Sequence, residues 1–117
     1  MNTLYTIIGL FAIGALFGIY LLTLVLQNKK TSTGLALIHG LFVAAALITL
    51  ITFAAKNTPT PMTSLIFFVI AALGGLVLFY RDVTGQSVPK WLAVLHGLLA
   101  VTGFILLLVF TFGNQTV

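Results

Sequence analysis

The chain contains no cysteine, no glutamate and a single aspartate, Asp82. Without cysteine it forms no disulfides, cysteine-ligated zinc site or iron–sulfur cluster, and it attaches no haem through a C-x-x-C-H motif. With one acidic residue it has neither a carboxylate pair nor a Ser/His/Asp set inside its apolar runs, so hydrolytic chemistry is poorly supported. The titratable groups that could do chemistry are therefore very few.

Charge of either sign is scarce. Charged residues make up 5% of the 117 residues and hydrophobic ones 61%, whereas soluble domains carry about 25% charged residues. An uncharged apolar run of about 18 residues or more predicts a transmembrane helix. Four such runs are present: Thr3–Leu26, Leu35–Ala55, Met62–Tyr80 and Trp91–Phe112. We predict an all-α, four-transmembrane-helix bundle that forms one integral membrane domain over residues 1–117 and has the lipid bilayer as its surroundings.

The first run is predicted to be a membrane helix and not a cleaved signal peptide. No lysine or arginine precedes it, and it is longer than the usual apolar core of a signal peptide.

The few basic residues flank the predicted spans, so the net charge of +4 does not indicate nucleic-acid binding. Only Lys56 lies in the second connection, whereas the first and third connections hold Lys29, Lys30, Arg81 and Lys90. The positive-inside rule then puts these two connections in the cytoplasm and both termini outside. We expect a bacterial inner-membrane location.

An internal repeat organises the chain. The stretch Leu35–Leu41 returns as Leu92–Leu98, and the only two histidines, His39 and His96, lie 57 positions apart (96 − 39). At this offset nine of 24 positions are identical from Gly34 onward and seven of 16 from Thr6 onward. We predict two helical hairpins, residues 1–57 and 58–117. Because each has an even number of spans, they form a parallel repeat whose two-fold axis runs along the membrane normal.

The repeat predicts that His39 and His96 meet across this axis at one depth. A buried imidazole without hydrogen bonds costs on the order of a few kcal/mol, so each ring needs a partner. One interpretation is a backbone carbonyl or a hydroxyl of a neighbouring helix, such as Thr23 or Thr102. Another is that the two imidazoles are the axial ligands of a b-type haem, a cofactor that helical bundles often hold. A zinc or copper site is a weaker interpretation, because two imidazoles are half of a tetrahedral shell.

On the helix count and the residues His39 and His96, the chain resembles the four-helix membrane b-type cytochromes, in which histidines on the second and fourth helices hold haem. The resemblance implies one haem b per chain, because two haems would need four histidines. It also implies electron transfer, with a quinol or a redox protein as partner. We expect Tyr20 to be an interfacial residue or to contact a quinone or an imidazole.

Small and basic residues near the histidines suit such a cofactor. We expect room for the haem ring beside Gly40, Gly97, Gly18 and Gly75, and also beside Ala36 and Ala93. The four lysine and arginine residues of the first and third connections are expected to face the haem propionates.

Functions without haem are the alternatives: a small membrane transporter or channel, or a structural subunit that anchors a larger complex. A proton-coupled exporter like the small multidrug transporters is not expected, because those proteins depend on a glutamate within the first helix. Asp82, beside Arg81 in the third connection, is expected to form a solvated ion pair with it. A homo-oligomer is compatible with all these functions.

Overall fold

The computed structural model describes residues 2–113, and all regular structure in that range is helical. The helices are α1 (Asn2–Leu26), α2 (Thr33–Lys56), α3 (Met62–Val83) and α4 (Lys90–Phe112). Each is long and apolar enough to cross a membrane. The predicted all-α four-helix architecture is confirmed. Asn114, which belongs to the repeat match, and the rest of the C-terminal tail lie outside the described residues.

The helices extend slightly beyond the apolar runs because backbone hydrogen bonds, and not hydropathy, end a helix. Ser32 caps α2 by accepting a hydrogen bond from the Leu35 backbone N–H at 3.3 Å. Helix α3 continues past Tyr80 to Val83, and the Thr84 N–H still donates to the Tyr80 carbonyl at 3.1 Å. Polar residues in such a last turn lie at the membrane surface, where their charged groups reach water.

The four helices form an elongated bundle of 43 × 22 × 19 Å. Helix α1 packs mainly on α2 and α3 mainly on α4, and the two hairpins meet through α1–α4 and α2–α3. Short connections between successive helices make this an up-down-up-down arrangement. We call the end formed by the first and third connections the histidine end, because His39 and His96 each lie six residues from the start of their helices there.

The well-packed core lies in the half of the bundle opposite the histidine end. Its buried members come from the start of α1 and α3 and from the end of α2 and α4: Leu4, Ile7, Phe11, Ala46, Leu50, Phe68, Leu107 and Phe110. Ser64 is also fully buried, and its hydroxyl donates to the Gly103 carbonyl at 2.7 Å, which ties α3 to α4. These residues hold the two hairpins together.

Repeat-related residues occupy equivalent places in this core. Ile7 and Ser64 are both fully buried, as are Leu50 and Leu107. Phe11 and Phe68 stack on each other, with ring centroids 3.9 Å apart and planes 5° apart. Because a residue that touches its own equivalent must lie beside the axis relating the copies, the pseudo-two-fold axis passes between these two rings.

The outer surface of the bundle is apolar on every helix. Large hydrophobic side chains such as Leu16, Leu41 and Leu76 are about two-thirds exposed or more (70%, 68% and 66%). A soluble protein rarely exposes so much contiguous apolar surface, whereas lipid chains cover it at no cost. The surface is therefore compatible with an integral membrane protein.

Candidate functional site at the histidine pair

The structure brings the two histidines together. His39 from α2 and His96 from α4 face each other across the bundle, with ring centroids 6.3 Å apart and ring planes at 85°. Each lies about 9 Å along its helix from the histidine end, six residues at about 1.5 Å per residue. The pair therefore straddles the same axis as the Phe11–Phe68 stack, on the other diagonal of the bundle.

Each imidazole is held by a backbone carbonyl of its own hairpin. His39 Nδ1 lies 2.7 Å from the Gly14 carbonyl oxygen, and His96 Nδ1 lies 2.7 Å from that of Ala71. Gly14 and Ala71 are themselves repeat-related. Because a carbonyl only accepts, each Nδ1 must carry the proton and donate it. Each Nε2 therefore carries the lone pair that can bind a metal.

The sequence predicts either a backbone carbonyl or a threonine hydroxyl as the partner of each histidine. The carbonyl prediction is confirmed, and the threonine prediction is wrong. Thr23 donates to the Tyr20 carbonyl at 2.6 Å, and Thr102 donates to the Leu98 carbonyl at 2.8 Å. Helical threonines commonly bond to the carbonyl three or four residues earlier in their own helix. Neither hydroxyl is therefore available to a histidine.

Gly18 and Gly75 make room for the imidazoles. A Cβ atom placed on Gly18 would lie 2.9 Å from His39 Cε1, and one on Gly75 would lie 2.9 Å from His96 Cε1. Real Cβ atoms essentially never come so close to another atom. These two glycines are predicted to make room for a haem ring, whereas in the structure the space they leave holds the imidazoles themselves.

The glycines that follow the histidines are placed differently. Gly40 is exposed, and a Cβ there would meet nothing within 4 Å. Gly97 is partly buried, and the nearest atom to its Cβ position is Leu22 Cδ2 of α1 at 4.0 Å. Only Gly97 of this pair faces another helix, so Gly40 is the less suitable of the two for lining a cofactor.

The spacing of the rings suits a metal held between them. A metal–imidazole bond is about 2.0 Å long and a ring nitrogen lies about 1.1 Å from the ring centre, so two imidazoles that bind one metal from opposite sides have centroids about 6 Å apart. The observed 6.3 Å agrees with this value. Within residues 2–113 neither Nε2 has a hydrogen-bond partner. Neither nitrogen is fully occluded. Both nitrogens thus border accessible space.

The described residues around the pair supply too few ligands for a four-ligand metal site. Buried positions near the histidines are small, namely Gly14, Ala71 and Ala93, and they are closely packed: a Cβ on Gly14 would lie 2.8 Å from Val43 Cγ2. In the part of the chain that the structure describes, no group of three or more histidine, cysteine, aspartate or glutamate residues is close enough to hold a metal ion. A tetrahedral shell would have to be completed by another molecule, whereas a planar macrocycle needs only the two axial nitrogens.

The predicted ion pair between Arg81 and Asp82 is wrong. Arg81 donates through Nε to the Ser87 carbonyl at 2.8 Å, and Asp82 instead accepts a hydrogen bond from the Thr31 hydroxyl. Asp82 thereby links the last turn of α3 to the first connection. The two side chains diverge because adjacent residues on a helix lie about 100° apart around its axis.

Three of the four basic residues predicted to face propionates, Lys29, Lys30 and Lys90, line a polar cleft of about 500 Å³ between the first and third connections. This cleft lies at the histidine end, about two helical turns from the imidazoles. A role for these lysines toward haem stays a prediction.

Within residues 2–113 no hydrogen bond joins the Tyr20 hydroxyl to an imidazole. Tyr20 is half exposed and lines an apolar cleft of about 520 Å³ with Ile13, Leu16, Phe17 and Leu35. This cleft opens on the lipid-facing side of α1 and α2, which suits the interfacial role.

Comparisons of the chain with protein-family models, with curated proteins and with solved structures give no match. Its function must therefore be argued from the site itself.

Proposed function

We propose that the protein is a small b-type cytochrome of the membrane, in which His39 and His96 are the axial ligands of one haem b. The observation that supports this most directly is the facing pair of imidazoles, 6.3 Å apart. Each ring donates its Nδ1 proton to a carbonyl, and its Nε2 has no hydrogen-bond partner among residues 2–113.

The Nδ1 hydrogen bonds set the state of the ligands. Metal-binding histidines usually donate their other ring N–H to a carbonyl or carboxylate, which fixes the tautomer and the orientation of the ring. Here Gly14 and Ala71 do this symmetrically, and Gly18 and Gly75 allow the rings to approach α1 and α3. The chain thereby fixes the direction of both imidazoles.

The Phe11–Phe68 stack bounds the packed core on the side of the site. Phe11 precedes Gly14 by three residues and so lies about 4.5 Å farther from the histidine end along α1. At that level the stacked rings of Phe11 and Phe68 occupy the centre of the bundle. Haem b, when bound, supplies a one-electron iron couple. The protein would then pass electrons between a quinol and a redox protein at the membrane.

The orientation we propose follows the positive-inside rule. Lys29, Lys30, Arg81 and Lys90 lie in the connections of the histidine end or in the helical turns beside them, and Lys56 alone lies beside the second connection. The site would then lie nearer the cytoplasmic face of a bacterial inner membrane, with both termini outside.

Absorption spectroscopy tests the proposal. Protein purified from haem-sufficient cells should show a Soret band and, on reduction, sharp α and β bands. His39→Gly or His96→Gly should lose these bands and regain them when imidazole is added, since free imidazole can fill the vacated ligand position. Tyr20→Phe is the matched control and should keep the wild-type spectrum.

Purified wild-type protein that is colourless and does not bind added haem would refute the proposal. Solute flux into proteoliposomes would then test the transporter or channel alternative.

A further inference from the structure

The two hairpins meet along two lines of contact, which we call the α1–α4 seam and the α2–α3 seam, and these differ near the histidine end. Gly97 of α4 faces α1, because a Cβ placed on it would lie 4.0 Å from Leu22 Cδ2. The repeat-related positions at the other seam are Gly40 and Phe79. Gly40 is exposed, and a Cβ there would meet nothing within 4 Å. At this level the α2–α3 seam is therefore the more open of the two.

The positions one helical turn earlier show the same difference. Ala93, four residues before Gly97, is buried, whereas Ala36, four residues before Gly40, is only partly buried. Helices α2 and α3 are also the least extensively packed of the neighbouring pairs. Because packing contacts hold helices together in lipid, the α2–α3 seam is the one that separates at the lowest cost.

A polar contact closes the α2–α3 seam at the histidine end. Thr31, just before the start of α2, donates a hydrogen bond to Asp82 Oδ1 in the last turn of α3. The repeat-related residues are Val25 and Val88, whose side chains have no hydrogen-bonding group. The contact is therefore specific to this seam and is not a by-product of the repeat.

The closed contact leaves Asp82 incompletely satisfied. Its Oδ2 is fully occluded and has no hydrogen-bond partner within residues 2–113. A buried carboxylate oxygen without a donor costs free energy, and this cost is recovered when the seam opens and water reaches the carboxylate. One hydrogen bond thus holds the end of the seam closed against the hydration of Asp82.

The histidines keep their partners when the seam opens. His39 bonds to the Gly14 carbonyl and His96 to the Ala71 carbonyl, each within its own hairpin. The packed core at the opposite end holds the hairpins together. Separation of α2 from α3 at the histidine end therefore widens the gap between the imidazoles without breaking either bond.

We infer that the α2–α3 seam is the entrance to the space between the two imidazoles, and that the Thr31–Asp82 hydrogen bond is the latch that keeps this entrance closed. The entrance faces the bilayer and suits a flat, largely apolar molecule. Opening is a property of the haem-free chain, and only the identity of the entering molecule, haem, rests on the proposed function.

Thiol labelling of the haem-free protein in detergent tests the latch. The chain has no cysteine, so Ala36→Cys introduces a single thiol at the α2–α3 seam, and Ala93→Cys is the matched control at the α1–α4 seam. Adding Thr31→Val to Ala36→Cys should make the thiol react with a maleimide about tenfold faster. This factor corresponds to about 1.4 kcal/mol, close to the low end of the value for a hydrogen bond to a charged group.

Two controls separate the latch from general loosening of the bundle. Thr31→Val should leave the labelling rate of Ala93→Cys unchanged, because the α1–α4 seam stays closed. Thr31→Ser keeps the hydroxyl and should leave the labelling rate of Ala36→Cys unchanged. Circular dichroism and gel filtration establish that each variant is folded.

Haemin exchange tests the entrance. Thr31→Val should raise the association and dissociation rates of haemin by similar factors and leave Kd near the wild-type value, because the latch controls opening of the empty and the loaded protein alike.

Equal labelling of Ala36→Cys with and without Thr31→Val would overturn the latch, and so would faster labelling at both seams. Faster labelling of Ala36→Cys with unchanged haemin rates would overturn the entrance. Wild-type protein that binds no haemin would refute the proposed function instead, and the labelling rates would still decide the latch.

Discussion

The glycines that contact the imidazoles provide the sharpest test of how the site is built. In Gly75→Ala, the new methyl group would lie 2.9 Å from His96 Cε1, whereas ordinary contact begins at 3.4 Å. The ring or α3 must therefore move by about 0.5 Å, the difference between these distances. A shift of that size strains the 2.7 Å bond to the Ala71 carbonyl and changes the direction of Nε2.

Two opposing effects decide the stability of this variant. Overpacking a close contact costs about 1–3 kcal/mol, while replacing a helical glycine with alanine gains about 1 kcal/mol. The net effect is a loss of about 0–2 kcal/mol in the free energy of unfolding. The effect on haem should be larger, because disturbing the groups that orient a metal ligand typically lowers affinity by about 10- to 100-fold.

Titration of the haem-free protein with haemin, followed at the Soret band, measures this loss. Gly18→Ala, the repeat-related variant, should show a loss of the same order. Gly40→Ala is the control: it adds the same methyl group where nothing lies within 4 Å. It should keep wild-type haem affinity and unfold at a slightly higher denaturant concentration. If Gly18→Ala and Gly75→Ala bind haem as tightly as Gly40→Ala does, the proposed arrangement of ligands is wrong.

Three further predictions concern the ligand planes and the core. The imidazole planes lie at 85° to each other. Ferric haem bound between them should therefore give the strongly anisotropic low-spin electron paramagnetic resonance signal of near-perpendicular axial ligands. A rhombic signal, which is typical of parallel ligand planes, would contradict this geometry. Ser64→Ala removes the 2.7 Å bond to the Gly103 carbonyl and should destabilise the bundle by about 0.6–1.5 kcal/mol in detergent unfolding; unchanged stability would show that this bond is not a net contributor. Phe68→Ala removes one ring of the stack on the axis and should cost about 3–5 kcal/mol, and an unfolding midpoint like that of the wild type would show that the hairpins are held together elsewhere.

The sequence predicts the helices well because their lengths are set by the membrane. Runs without charge are long enough to span, and the connections contain the charged and turn-forming residues, as at Gly85 with its φ of +77°. The repeat also predicts that His39 and His96 lie at one depth, since equal offsets from equal helix starts give equal heights.

The partners of the histidines are harder to predict. A backbone carbonyl leaves no mark in the sequence, so the roles of Gly14 and Ala71 were not foreseen. The sequence does hold one signal for these carbonyls: a glycine lies four residues after each of them, Gly18 after Gly14 and Gly75 after Ala71. An imidazole can approach the backbone of a neighbouring helix only where that helix lacks a side chain. Asp82 was misassigned because adjacency to Arg81 in sequence suggested a contact that helix geometry does not provide.

Large and small buried side chains are distributed unevenly along the bundle. The large buried side chains, such as Leu50, Phe110 and the Phe11–Phe68 stack, lie in the half opposite the histidine end. The buried residues close to the histidines are glycine and alanine. If the packed half alone holds the hairpins together, the histidine half can accommodate a planar group without loss of the fold. The same division predicts that substitutions in the packed half change stability, whereas those at Gly18 and Gly75 change chiefly what the site binds.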